Sequence, residues 1–170
     1  MDDIPAQYSV RHRGVQLMVL GAVRRGGAGC ACPENSFLRA LLDHLLVEGD
    51  QWVIVDMEAG IEHLGRGTAR GVAPMVVVVE PDVRSLHTAG RILRLAEDVG
   101  LIRAVAVGNK VRGVEDRAFI RRSLPPGLPL AGWVSFREEL QLRGGLGAPP
   151  LSGPVGRQVE GLLGQLAAEG

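Results

Sequence analysis

Lysine is all but absent from this sequence. Of the 19 lysines and arginines, eighteen are arginine and one, Lys110, is lysine, and Val111 follows it. A phosphate-binding loop of the Gly-Lys-Ser/Thr kind, in which the lysine reaches the terminal phosphates, is therefore excluded anywhere in the 170 residues. Cysteine is scarce as well. Two cysteines, Cys30 and Cys32, cannot build a disulfide framework, and a reducing cytoplasm is the expected compartment. An excess of either charge is missing: 19 basic and 19 acidic residues cancel, and the isoelectric point is near 6.9. That balance argues against bulk-charge binding to nucleic acid or to an anionic membrane. No apolar run approaches the ~18 residues of a membrane span. The start, Met1-Asp2-Asp3, is acidic where a signal peptide is basic, so no secretory leader is expected.

What is present is enough apolar material for a packed core: 46% hydrophobic against 22% charged residues. The length suits one domain over 1–170. Solid apolar runs at Gln16–Val23, Trp52–Asp56, Met75–Glu80, Ala104–Val107 and Leu130–Val134 read as buried strands. Helical spacing follows Pro33 (Phe37, Leu38, Leu41, Leu42, Leu45, Leu46) and recurs over Leu86–Val99, Glu115–Ser123 and about 155–168. A Gly- and Pro-rich stretch, about 144–154, reads as a linker before the last helix. Strands that are apolar throughout and alternate with helices predict an α/β fold, a parallel sheet flanked by helices on both faces.

Ligands of such sheets sit beyond the C-terminal strand ends, and the chemistry-bearing residues cluster there. Cys30-Ala31-Cys32 lies in the glycine loop 24–32 just ahead of a helix start, where free N–H groups and the helix dipole favour the thiolate that binds soft metals. Two thiolates do not complete a four-coordinate site, but a two-fold dimer would bring four together. The spacing alone leaves open that these are two small loop residues without a ligand. The segment from Asp56 to Gly67 holds three acids, His63 and Arg66; an acid at a strand end can hold Mg²⁺, and a glycine four residues on, Gly60, can offer its N–H to a terminal phosphate. His63, Glu58 and Glu62 taken singly read as solvated loop residues. Asn109-Lys110 follows the fourth strand, where the amide can read a base edge and the lysine stem can cover the base plane; an ordinary strand-end turn is the plainer reading. Glu80-Pro81-Asp82 marks a third strand end. Between residues 84 and 122, nine basic residues face four acids, the pattern of a solvated helix face or a docking surface for an acidic partner.

Three stretches carry a resemblance: Gly26-Gly27-Ala28-Gly29-Cys30-Ala31-Cys32-Pro33-Glu34-Asn35, Asp56-Met57-Glu58-Ala59-Gly60-Ile61-Glu62-His63-Leu64-Gly65-Arg66-Gly67-Thr68, and Gly108-Asn109-Lys110-Val111. With them the chain resembles the carbon monoxide dehydrogenase maturation ATPases, nickel-insertion accessory proteins of the MinD/ParA-like P-loop group, from about Ile4 to Phe136. The resemblance implies a metal-carrying homodimer whose assembly responds to ATP or ADP with Mg²⁺. Cys30 and Cys32 would bind nickel, or zinc in its place, with their symmetry mates. Asp56 through Gly60 would match the second switch, sensing Mg²⁺ and the terminal phosphate, and Asn109 with Lys110 the adenine side. The client would be carbon monoxide dehydrogenase or a related nickel enzyme. Two departures accompany the likeness. The opening strand, P-loop and helix of the family have no counterpart here, so at least one βα unit of its pattern is missing. The acid that follows a Pro-aromatic pair after the family's late strand is replaced by Ser135-Phe136-Arg137. This chain by itself is therefore expected neither to hydrolyse ATP nor to bind it well, and to expose strand edges that normally pair. A non-catalytic, thiolate metal-binding dimer is the alternative. A phosphoacceptor receiver domain built on Asp56 and Lys110 ranks lower, because Leu20-Gly21 stands where that fold needs an acidic pair.

Overall fold

A computed structural model describes residues 9–19, 40, 52–57, 74–100, 103–138 and 153–168. A short hairpin comes first. Strands β1 (Val10–His12) and β2 (Val15–Leu17) pair antiparallel, with Val10 opposite Leu17. The two turn residues, Arg13 and Gly14, both have positive φ (48° and 81°), the backbone of a type I′ turn whose twist matches that of the flanking strands. The expected buried strand at 16–23 is corrected over its described part. Residues 15–17 are the return arm of this hairpin, and Leu17 and Val19 are exposed. An apolar run reports burial only if a partner covers it, and here the nearest partner is the local turn, which closes the shortest loop.

The second expected strand is also corrected. Residues 52–57 join no ladder, and Trp52, Val53, Ile54 and Val55 are all exposed. A strand exists only by pairing, and no described strand lies beside this segment.

The main body follows the sequence closely. Strand β3 (Met75–Val79), helix α1 (Val83–Val99), strand β4 (Ala104–Val111), helix α2 (Val114–Ser123), strand β5 (Leu130–Ser135) and helix α3 (Gly153–Ala168) succeed one another. The strands form a parallel sheet in the order β3-β4-β5, with Val77 opposite Ala106 and Gly108 opposite Trp133. Two βα crossovers place α1 and α2 against one face. The core lies there, where Val77, Val79 and Ala106 of the sheet meet Leu86 and Ala89 of α1 and Ile120 of α2. Adjacent strand residues point to opposite faces. Trp133 therefore shares the α2 face with Gly108, whereas Gly132 turns to the other face and meets Leu162 of α3. On that second face Val105 and Val107 are buried along with Val155, but Val76 and Val78 of β3 stay exposed.

Local chemistry sets the helix ends. Asp82 caps α1, its carboxylate accepting from the Arg84 N–H at 2.9 Å, and Gly100 ends it in the left-handed region (φ 82°), its N–H returning to Ala96 and Glu97 carbonyls. Helix α2 has Glu115 and Asp116 in its first turn and Arg121 and Arg122 in its last, matching the helix dipole at both ends. Helix α3 starts at Gly153, two residues earlier than the spacing predicts. The rest of the 144–154 linker, and the helix expected after Pro33 apart from the helical Ala40, lie outside the described residues. No described helix is long and apolar enough to cross a membrane.

Candidate functional site

The C-terminal ends of β3, β4 and β5 bring three groups of side chains together. Asn109 and Lys110 do not follow β4, as their position after an apolar run implies, but lie within it. The pairing of β4 with β5 shifts register between Gly108 and Val111, and Lys110 sits at that irregularity with φ 56°. A lysine in the left-handed region costs about 1–2 kcal/mol relative to ordinary backbone, so local bonds have to hold it. Two do. The Asn109 side-chain Oδ1 accepts from the Lys110 N–H at 2.9 Å, and the Lys110 Nζ meets the Glu80 Oε1 at 2.6 Å. Both members of the ion pair are about 40% exposed (42% and 43%), so its worth is small as stability. Its effect is geometric: it ties the bulge of β4 to the end of β3.

The bulge orients the amide of Asn109. A backbone N–H can bond only to the carbonyl oxygen of the side chain, which identifies that atom as Oδ1 and leaves the Nδ2 donors without a partner among the described residues. The lysine side chain of the next residue is fixed at its far end by Glu80. The free donor pair is able to meet an acceptor on a planar base. The third strand end adds Phe136, whose N–H donates to the Val111 carbonyl at 3.0 Å and whose ring carries the Arg112 guanidinium 4.2 Å from its centre. Beneath the bulge packing is tight. A Cβ on Gly108 would lie 3.1 Å from Ile120 Cδ1 and 3.3 Å from both Trp133 Cβ and Val111 Cγ2. Glycine is thus what lets β4 pass between α2 and β5 immediately before Asn109.

Of the residues singled out from sequence, Asn109 and Lys110 are brought together, and Glu80 joins them. Asp56 is exposed at the end of the irregular segment 52–57 and makes no hydrogen bond or ion pair among the described residues. Gly60, Cys30 and Cys32 lie outside the described residues, and so do the rest of the acid-led loop and the glycine loop. The tie between Glu80 and Lys110 was missed in the sequence, although pairing Val79 with Gly108 in parallel register would have put the two strand ends side by side. Lys110, the one lysine, is paired with Glu80 and lies outside any Gly-Lys-Ser/Thr segment.

No protein-family model matches the chain. Individual proteins do. The chain is 46% identical over 120 residues to the carbon monoxide dehydrogenase accessory protein CooC of Rhodospirillum rubrum, which covers 71% of this chain and 46% of that protein. It is 40% identical over 151 residues to an uncharacterised ATP-binding protein of Methanocaldococcus jannaschii, covering 88% of this chain and 58% of that one. A further ATP-binding protein of the same organism is 35% identical over 126 residues, or 73% of this chain and 49% of its own length. The chain thus spans about half the length of the curated relatives it matches. A parallel sheet flanked by helices, with an Asn-Lys bulge at the strand ends, agrees with an ATP-binding α/β fold of the P-loop NTPase type. Over the stretch it spans, the chain belongs to the family of ATP-binding proteins that includes the carbon monoxide dehydrogenase accessory protein.

Proposed function

We propose that this chain is the base-reading and metal-carrying part of an ATP-dependent nickel-insertion accessory protein for carbon monoxide dehydrogenase. The observation that carries the reading is the 46% identity over 120 residues to a protein named for that accessory role. The Asn109–Lys110 bulge braced by Glu80 supports the nucleotide half. In this account the Asn109 Nδ2 donates to the adenine, and the Lys110 stem covers one side of the ring. Asp56 and Gly60 act at the other end of the nucleotide, on Mg²⁺ and the terminal phosphate. Cys30 and Cys32, with the same pair of a second copy, hold nickel as cargo, and zinc in its absence. Four thiolates would complete a tetrahedral site that one chain leaves half built. Because the 170 residues contain no Gly-Lys-Ser/Thr segment, the chain alone hydrolyses no ATP and holds nucleotide weakly. The second reading, a thiolate metal-binding dimer that works without nucleotide chemistry, rests on the Cys30-Ala31-Cys32 pair.

Titration of the isotope-labelled chain with ADP, followed by the amide resonances of residues 80 and 108–111, tests the nucleotide half. Saturable shifts centred on the Asn109 side-chain amide at about millimolar ADP, lost in Asn109→Ala and accompanied by no ATP turnover, are expected. Shifts elsewhere, or none, leave the metal-binding dimer as the better account.

A further inference from the structure

A second charged feature adjoins the strand-end site and shares Phe136 and Arg112 with it. Along α2 and the loop before it, three guanidiniums rest on two aromatic rings of the β5 end. Arg112 lies over Phe136 at 4.2 Å, and Arg117 and Arg121 over Trp133 at 4.4 and 5.2 Å from the ring centres. None of the three pairs with a carboxylate among the described residues. An acid of the same helix, Asp116, spends one oxygen on the Arg112 backbone N–H at 2.7 Å, and the ion pair described at the sheet end joins Lys110 to Glu80. Most telling is Arg117. Its Nε is buried and has no hydrogen-bond partner among the described residues, and a buried donor left unsatisfied costs about 1–3 kcal/mol. The outer N–H groups of its guanidinium, rather than the buried Nε, are what an arriving acceptor would meet.

We propose that the Arg112–Arg117–Arg121 face, carried on Trp133 and Phe136, docks an acidic segment of a partner protein. The rings hold the planar guanidiniums in fixed positions, which lowers the ordering cost of each bond they make to a carboxylate. Arg117 and Arg121 stand one helical turn apart, about 6 Å along the axis. Alternate residues of an extended peptide are about 6.6 Å apart on one side, so a segment with acids at alternate positions meets both. Single-stranded nucleic acid fits less well. It needs an open aromatic face for a base to stack on, and each ring here already carries a guanidinium.

The test uses the full chain and a fluorescein-labelled peptide of alternating Glu and Thr, about ten residues long, read by anisotropy at low salt. Binding is expected to weaken about tenfold or more in Arg117→Gln/Arg121→Gln, and to weaken with rising salt. The exposed Arg112→Gln gives a second reading should the double variant lose its fold, checked by circular dichroism. Arg84→Gln/Arg91→Gln on α1 removes equal charge and is expected to leave binding unchanged. Equal loss in the α1 variant would reduce the effect to bulk charge and overturn the proposal. So would tighter, variant-sensitive binding of an oligothymidine strand under the same conditions, or a peptide that does not bind.

Discussion

Gly108 is where packing and site meet, and a substitution there has a calculable outcome. A Cβ at residue 108 would sit 3.1 Å from Ile120 Cδ1 and 3.3 Å from Trp133 Cβ. Trp133 Cβ is fixed to the backbone of β5, and Ile120 is 1% exposed, so neither can retreat freely. Overpacking of this kind costs about 1–3 kcal/mol. Replacing glycine inside a strand returns about 0.5–1 kcal/mol of backbone entropy, which leaves Gly108→Ala about 0–2.5 kcal/mol less stable. Ile120→Val removes Cδ1, the closest of the clashing atoms, and by itself costs about 0.5–1.5 kcal/mol. The double variant is therefore expected to be more stable than the sum of the singles by about 0.5–1.5 kcal/mol, a favourable coupling. Urea unfolding of all four proteins, followed by far-ultraviolet circular dichroism, closes the cycle. Each kcal/mol also moves the melting midpoint by about 2–4 °C at this size. Additivity within about 0.4 kcal/mol would refute the packing argument, and with it the claim that glycine is required beneath the Asn109 bulge.

Three further outcomes follow from the described contacts. Asp82→Ala removes the cap on α1 and is expected to lower stability by about 1 kcal/mol, whereas Asp82→Ser restores most of it in the same melts. Gly100→Ala places a side chain at φ 82° and is expected to cost about 1 kcal/mol, seen as faster amide exchange over the last turn of α1. Glu80→Gln removes a half-exposed ion pair and is expected to change stability by under about 1 kcal/mol; its signature is instead a shift of the Lys110 and Asn109 resonances, and unchanged resonances would show that the pair does not brace the bulge.

What the sequence made legible, and what it hid, divides along physical lines. The β3–α1–β4–α2–β5 body was readable because each strand is apolar on both faces and each helix repeats its apolar residues at one-turn spacing, so period and burial agree. Met75–Val79 and Leu130–Ser135 lie within a residue of expectation. The runs at 16–23 and 52–56 looked the same but, over their described residues, were not, since an apolar run names no partner. The first turned back on itself through Arg13-Gly14, a two-residue turn whose positive φ values only one glycine advertises. At the site, Asn109 and Lys110 stood out by type, but their placement inside β4 depends on a register shift that pairing alone creates. The guanidinium rows over Trp133 and Phe136 were visible only as an excess of arginine, because the residues of each stack come from different elements. The cysteine pair and Gly60 keep the standing that motif and resemblance give them, since they fall outside the described residues.

Metal binding by the Cys30/Cys32 pair is central to the proposed function, and one measurement reaches it most directly. The chain and its Cys30→Ser/Cys32→Ser variant would be purified and loaded with nickel or zinc, then measured for bound metal and for mass by light scattering. About one metal ion per dimer in the parent, with metal and most of the dimer lost together in the variant, is the predicted result. A metal-free monomer unchanged by both substitutions would contradict it.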